Sequence, residues 1–363
     1  MPKKIALLTV YPPDTVPGLR FRIEQYLPLL QAAGYDIAWV SFFAPHRYRY
    51  EAFRSPQAST LRKGTLFLQA TLTAFAALRK RTAYPGVFLY REASLWGTPF
   101  LEKLWTAGRP YILDFDDAIW LLDTSEANRA FAWLKNPRKT EVLLRKARVV
   151  TVCNAFLAAY ARQFASDVRI IPTTIDTDLY QPRPKPERPH VVIGWSGSFT
   201  TLKHLHTIEG VLEHLYQRYK EKVRFRFIGA PQYRPPFPAE VLPWRAETEV
   251  ADLSEIDIGV MPLPADDWSR GKCALKALQY MALGIPAVVS PVGMNTTVIQ
   301  DGQNGLWADT PEAWINKLSY LIEHPEERER LGSAGRETVE SEYSVRANFP
   351  KYLAAFEAAF GPA

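Results

Sequence analysis

Short unbroken apolar runs alternate with amphipathic stretches along the chain, and the second half repeats the arrangement of the first. Residues 4–11 (KIALLTVY) predict a strand buried on both faces. A loop follows at 12–18, then an amphipathic helix over 19–33 ended by Gly34, then a second strand at 37–43. That order is a βαβ unit. Further strands are predicted at 87–90, 111–113, 149–152 and 168–171. Residues 180–190 (YQPRPKPERPH) hold four prolines, four basic residues and no apolar run, which predicts an interdomain linker. The pattern then restarts with a strand at 191–195 and a helix over 202–219. Strands at 224–228, 256–261 and 287–289 follow, and helices over 310–323, 325–341 and 345–360 close the chain. Two α/β halves in 363 residues predict two domains with a ligand cleft between them.

Residues 266–295 (DDWSRGKCALKALQYMALGIPAVVSPVGMN) are the most informative stretch. They predict loop, helix, tight turn, strand and loop. Lys272, Lys276 and Gln279 are spaced four and three apart, so one helix would carry them on one side. A basic, Gly-containing helix start suits a phosphate, because unpaired N–H groups and the positive dipole end face the anion. The alternative is a surface helix with solvated lysines.

Three places in the first half carry candidate chemistry. Gly18, Arg20 and Arg22 follow the first strand, at the edge where such sheets meet ligands. No GxGxxG fingerprint is present, and a solvated first turn is the alternative for the arginines. Arg91-Glu92 ends the strand at 87–90. The strand at 111–113 ends in Asp114-Phe115-Asp116-Asp117, whose carboxylates could orient an acceptor hydroxyl, act as a base, bind a cation, or simply cap a helix. Residues 60–81 are different: an almost wholly apolar centre at 66–78 lies between Arg62-Lys63 and Arg79-Lys80-Arg81. A helix touching anionic lipid and a core helix both fit, and the weak polar face favours the core.

Composition narrows the function classes. A hydrophobic content of 47% with 23% charged residues supports packed cores and excludes bulk disorder. A net charge of +6 favours anionic partners. No basic block with interleaved aromatics and no zinc-type spacing suggests a nucleic-acid module, so none is expected as partner. Cys153 and Cys273 are too few for a disulfide framework or a metal quartet. The apolar run after Met-Pro-Lys-Lys is too short for a signal peptide, and nothing reaches membrane-spanning length. A cytoplasmic protein is expected, with peripheral contact at the inner membrane face as an option.

Several segments, in order, resemble glycosyltransferase family 4. IGWSGS (193–198) with Lys203 resembles its first C-terminal-domain strand, phosphate loop and following lysine. FRFIGA (225–230) resembles the second strand with its terminal glycine, Gly229. SEIDIGVMPLP (254–264) resembles the strand before the donor pocket. LKALQYMALGIPAVVSPVG (275–293) resembles the E-A-M-A-x-G-x-P-V-V segment, QDGQNGLWA (300–308) the D-G-x-N-G-x-L turn, and IIPTTIDTDLYQP (170–182) the crossing segment between domains.

The resemblance implies the GT-B fold: two facing Rossmann-like domains, here 1–182 and 183–344, with a final helix at 345–363 crossing back to the first. It implies a retaining, hexosyltransferase-type transfer without metal or other cofactor, from a nucleotide sugar (a UDP- or GDP-sugar expected) to a glycan or lipid-linked acceptor. Surface polysaccharide or glycolipid biosynthesis is the implied context. Lys203 and Lys276 would clamp the donor diphosphate. Ser196, Gly197 and Ser198 would offer backbone N–H groups, and Gln279 would hold ribose hydroxyls. Gly18 matches the glycine-containing acceptor loop. The chain also departs from the family pattern. The first glutamate of E-x7-E falls at Gly271 and the second at Gln279. Ser196-Gly197-Ser198 stands where an arginine is common, with Arg270 or Lys272 as the replacement charge. Thr173-Thr174 replaces Asn-Gly, and the Asp114–Asp117 cluster, with Asp116 and Asp117 orienting the acceptor, replaces a histidine. The alternatives are another GT-B enzyme, such as a sugar-nucleotide epimerase, and a non-catalytic sugar-nucleotide or glycan-binding protein.

Overall fold

The computed structural model describes residues 2–43, 47–55, 57–121, 136–185 and 187–363. They form two compact units, Met1–Pro172 with Asn348–Ala363, and Thr173–Ala347.

The first unit is built on six parallel strands: β1 (Lys3–Thr9), β2 (Tyr35–Ser41), β3 (Gly86–Tyr90), β4 (Tyr111–Phe115), β5 (Val149–Val152) and β6 (Val168–Ile170). Their order is β2-β1-β3-β4-β5-β6. Every residue of β3, β4 and β5 is buried, as expected of parallel strands covered on both faces. The helix expected over 19–33 is broken into Pro17–Arg22, a 3-10 turn at Glu24–Tyr26, and Leu27–Ala32. Pro28 causes the break: it has no N–H to donate, and its ring would clash with the carbonyl one turn earlier. The helix Thr60–Ala77 is amphipathic by position rather than by composition. Leu66, Ala70 and Ala74 pack inward, while the opposite side remains at the surface.

The second unit has β7 (Val191–Ser196), β8 (Val223–Ile228), β9 (Glu240–Leu242), β10 (Ile258–Met261), β11 (Ala287–Val289) and β12 (Leu306–Trp307), ordered β12-β11-β10-β7-β8-β9 and all parallel. The sequence pattern does not reveal β9 and β12. With three and two residues they are too short to show a period, and they lie at the sheet edges. The centre of the sheet packs on Trp195, Leu205, Leu212, Phe225 and Phe227.

One segment differs from the reading of the sequence. The division between units falls after Pro172, so the proline-rich stretch is not a free tether. It is strapped along the second unit: Tyr180 is buried, Lys185 pairs with Asp257 at 3.0 Å, and Arg188 pairs with Glu255 at 3.0 Å. Pro186 of that stretch lies outside the described residues. The final helix Val345–Phe360 carries its buried aromatics into the first unit. Tyr352 stacks on Tyr26 at 4.4 Å and Phe356 on Phe88 at 5.7 Å, while Tyr35 donates a hydrogen bond to the Gly361 carbonyl at 2.6 Å.

Candidate functional site

In the second unit the positive charge gathers where β7 and β10 end. Lys203 is exposed on the short helix Leu202–Leu205, which follows the loop after β7. Lys276 lies in the first turn of the helix Leu275–Ala282, with Nζ 5.8 Å from the centre of the Trp195 ring. Lys272 is not on that helix. It occupies the connection from the short helix Asp267–Arg270, with Nζ 4.8 Å from the centre of the Trp268 ring. The expected one-sided array of Lys272, Lys276 and Gln279 is therefore corrected. Ala274, in the left-handed region at φ 55°, separates Lys272 from the helix. A non-glycine residue held there costs about 1–3 kcal/mol, and such strain concentrates at functional sites.

A residue that the sequence reading missed feels the charge of all three lysines. His204, on the helix Leu202–Leu205, is buried, 4% exposed. Burial first, and then the charges of Lys276, Lys203 and Lys272, push its imidazole down to about 4, with Asp266 opposing weakly. His204 is thus neutral at pH 7, under a field of three ammonium groups. Its position beside Lys203 was the available signal, but a lone histidine on an apolar helix side does not stand out.

The backbone donors expected at 196–198 are already committed. Ser196 N–H donates to Tyr280 Oη at 3.0 Å, Gly197 N–H to the Ile228 carbonyl at 2.9 Å, and Ser198 N–H to Thr201 Oγ1 at 2.9 Å. These three residues shape the loop instead of offering a row of N–H groups. Gly197 lies under the Trp195 ring. At Gly229, φ 95°, an added Cβ would collide with the Gly197 carbonyl, so this glycine permits the close approach of two loops. Arg270 is exposed and pairs with Asp267 at 3.2 Å.

Gln279 also differs from expectation. It is 3% exposed, and its Nε2 donates to Tyr180 Oη at 3.0 Å and Glu249 Oε1 at 3.2 Å. Tyr180 in turn donates to Glu249 Oε2 at 2.9 Å, and Trp244 Nε1 donates to Oε1 at 2.8 Å. The amide that was to hold ribose is built into a buried network around a carboxylate supplied by a different helix. A buried carboxylate requires such donors, and Glu249 gives none of this away in the sequence.

In the first unit the acidic run divides in two. Asp114 is fully buried and forms a two-point ion pair with Arg22, Nε to Oδ2 at 3.1 Å and Nη2 to Oδ1 at 2.5 Å. Thr151 Oγ1 donates to the same carboxylate at 2.6 Å, and Arg22 also donates to the Ile171 carbonyl. Burial alone would lower the Arg22 guanidinium, but the Asp114 charge outweighs it and holds the group charged. Arg22 is therefore a core residue and not an acceptor contact. Asp116 and Asp117 turn the other way, onto Arg91: Nε to Asp116 Oδ1 at 2.7 Å and Nη2 to Asp117 Oδ2 at 2.6 Å. Tyr90 Oη donates to Asp116 Oδ1 at 2.7 Å, and burial raises that phenol so that it remains a donor. Arg91 takes φ 57°, the first unit's counterpart of Ala274. A Cβ on Gly18 would strike the Tyr90 hydroxyl and come within 2.5 Å of Asp116 Oδ2, so Gly18 keeps the backbone close to this cluster. Arg20 stands slightly apart, its guanidinium 5.3 Å from the Phe21 ring centre.

Residues 190–324, which contain Lys203, His204, Glu249, Lys272, Lys276 and Gln279, match the family described as Glycosyl transferases group 1. A stretch of 65 residues is 38% identical to D-inositol 3-phosphate glycosyltransferase of a Nocardioides species, covering 17% of this chain and only 14% of that relative's length. The whole chain is similar in structure to sucrose-phosphate synthase from Thermosynechococcus elongatus, with a TM-score of 0.73 and 17% identity over 99% of this chain and 100% of the other. It is likewise similar to HepE from Anabaena, solved with UDP and glucose, with a TM-score of 0.68 and 13% identity over 98% and 100%. The fold is that of the GT-B glycosyltransferases.

Proposed function

We propose that the protein is a retaining glycosyltransferase of the family 4 type, moving a hexosyl group from a UDP- or GDP-sugar to a glycan or lipid-linked acceptor. The observation that carries this reading is the placement of Lys203 after β7 and of Lys272 and Lys276 after β10, with Lys276 Nζ 5.8 Å from the centre of the Trp195 ring at the end of β7. Departure of a nucleoside diphosphate leaves negative charge on the phosphate oxygens. Ammonium groups held in place before the bond breaks stabilise that charge without reorganisation. Here they take the place of a divalent cation. Neutral His204 adds no competing carboxylate and can donate or accept one hydrogen bond. The match of residues 190–324 to group 1 transferases supports the same assignment.

For the acceptor, the reading assigns Asp116 and Asp117. Their pairing with Arg91 fixes both carboxylates while leaving Asp117 17% exposed to meet a hydroxyl. Retention follows from attack on the face the diphosphate leaves, with a donor phosphate oxygen assisting deprotonation, so no protein nucleophile is required. Surface polysaccharide or glycolipid assembly suits such an acceptor.

The test is a thermal-shift screen against UDP-, GDP-, ADP- and TDP-sugars. A ligand that binds the native state at one hundred times its Kd adds about 2.7 kcal/mol, read as a rise in Tm. One nucleotide class should raise Tm, and its sugar should be released onto an added acceptor with the anomeric configuration kept. The absence of any shift across all four classes would overturn the reading.

A further inference from the structure

The helix Thr60–Ala77 leaves an apolar stripe facing outward. Leu61, Leu68 and Leu72 are 82%, 59% and 62% exposed. Their spacings of seven and four put them along one side, opposite the buried Leu66, Ala70 and Ala74. Two aromatic residues enlarge the surface. Trp96 stacks with Phe67 at 6.3 Å, and Phe100 lies 6.2 Å from Phe75, so both join the same helix while 36% and 52% exposed. An ordinary surface helix carries polar residues on this side, and a contiguous exposed apolar patch marks an interaction site.

The charge on this helix and its flanks has one sign. No acidic residue occurs between Glu51 and Glu92. Glu102, on the adjoining helix Phe100–Thr106, is fully buried. Arg62 at one end of the helix, and Arg79 and Lys80 just beyond the other, are exposed. The occupant of this face must therefore be apolar within and anionic at its surface. Leucines beside aromatics and bounded by cations match the boundary between acyl chains and phosphate headgroups.

We propose that this face docks the protein on the surface of an anionic phospholipid bilayer. The helix lies on the bilayer and does not cross it, since among the described residues no helix is long and apolar enough to span one. Leu61, Leu68 and Leu72 enter the acyl boundary, and Arg62, Arg79 and Lys80 meet the phosphates. Docking is independent of donor chemistry, so its failure is distinguishable from failure of the transferase reading.

The experiment is co-sedimentation of the full chain with vesicles of phosphatidylglycerol mixed with phosphatidylcholine, and with vesicles of phosphatidylcholine alone. The protein should bind the mixed vesicles and release as salt is raised. The double variant Leu68→Glu/Leu72→Glu should lower partitioning at least ~100-fold, from the apolar area lost. Arg79→Ser/Lys80→Ser should lower it roughly 30-fold, from two charges removed near the surface. Both variants change exposed positions, so their circular dichroism and unfolding midpoints should match the parent. Three outcomes would overturn the proposal: no binding to mixed vesicles, equal binding to both kinds, or unaltered binding by the leucine variant. A concentration-dependent dimer that the leucine variant dissolves, without vesicle binding, would assign the face to a second copy of the chain and overturn it too.

Discussion

The two units place different charges at the ends of their strands. In the first, the cations are matched by neighbouring carboxylates: Arg22 by Asp114, and Arg91 by Asp116 and Asp117. In the second, burial first and then the charges of Lys276, Lys203 and Lys272 lower one imidazole, that of His204, with Asp266 the weaker opposing charge. A locally balanced cluster offers hydrogen bonds in fixed directions with little net field, which suits a neutral hydroxyl-bearing ligand. A place where three ammonium groups act on one imidazole favours an anion, and favours it more as that anion gains charge. The same α/β framework is thus fitted for two different ligands by the choice of charges at its strand ends.

The largest expected effect breaks the balanced side. Arg22→Leu strands the Asp114 carboxylate, still bonded to Thr151, in a fully buried position. Removing one partner of such a pair costs about 3–5 kcal/mol. Urea unfolding should show that loss, and Arg22→Met/Asp114→Leu should recover most of it. Next comes the lysine side. Lys276→Ala removes a partly exposed charge, so stability should stay within about 0.5 kcal/mol of the parent. Turnover should nevertheless fall by ~10²–10³, the usual loss for an electrostatic stabiliser. If the two variants exchanged these signatures, with Lys276→Ala unfolding the protein and Arg22→Leu only slowing it, the contrast between the units would be wrong.

Much of the framework was legible in the sequence, and for a physical reason. A parallel strand buried on both faces leaves an apolar run such as Val149–Val152, and Gly284 at φ 68° marks a helix end. Lys203 and Lys276 stand out in the sequence through the resemblance of the segments that carry them to family 4, and the structure puts them on the short helices Leu202–Leu205 and Leu275–Ala282. What the sequence hides is which way a side chain turns. Asp114, Asp116 and Asp117 read as one cluster, yet Asp114 turns onto Arg22 in the core and the other two onto Arg91. Gln279 reads as a ligand contact, yet its partners Tyr180 and Glu249 lie far away along the chain and meet it only after folding. The strand at Leu306–Trp307 was missed because two residues have no period.

The smallest expected effect sharpens the comparison most, because it reads the field of the lysines directly. His204 has a folded-state value of about 4, below the ~6.5 of an unperturbed imidazole. Between those values the unfolded chain binds a proton that the folded chain refuses. Stability therefore rises with pH across this window and is lost as pH falls through it. The contribution is at most about 3 kcal/mol by the same linkage. Since other groups titrate here as well, the quantity to measure is the difference between the parent and His204→Gln in unfolding free energy from pH 4 to pH 6.5. The variant should show a flatter acid limb. Adding a nucleoside diphosphate should flatten the parent's limb in the same direction, because an anion among Lys203, Lys272 and Lys276 offsets the charges that depress the imidazole. Arg91→Gln, in the other unit, should leave that response to nucleotide unchanged. If the nucleotide left the parent's acid limb as steep as before, the lysines would not be where the diphosphate binds.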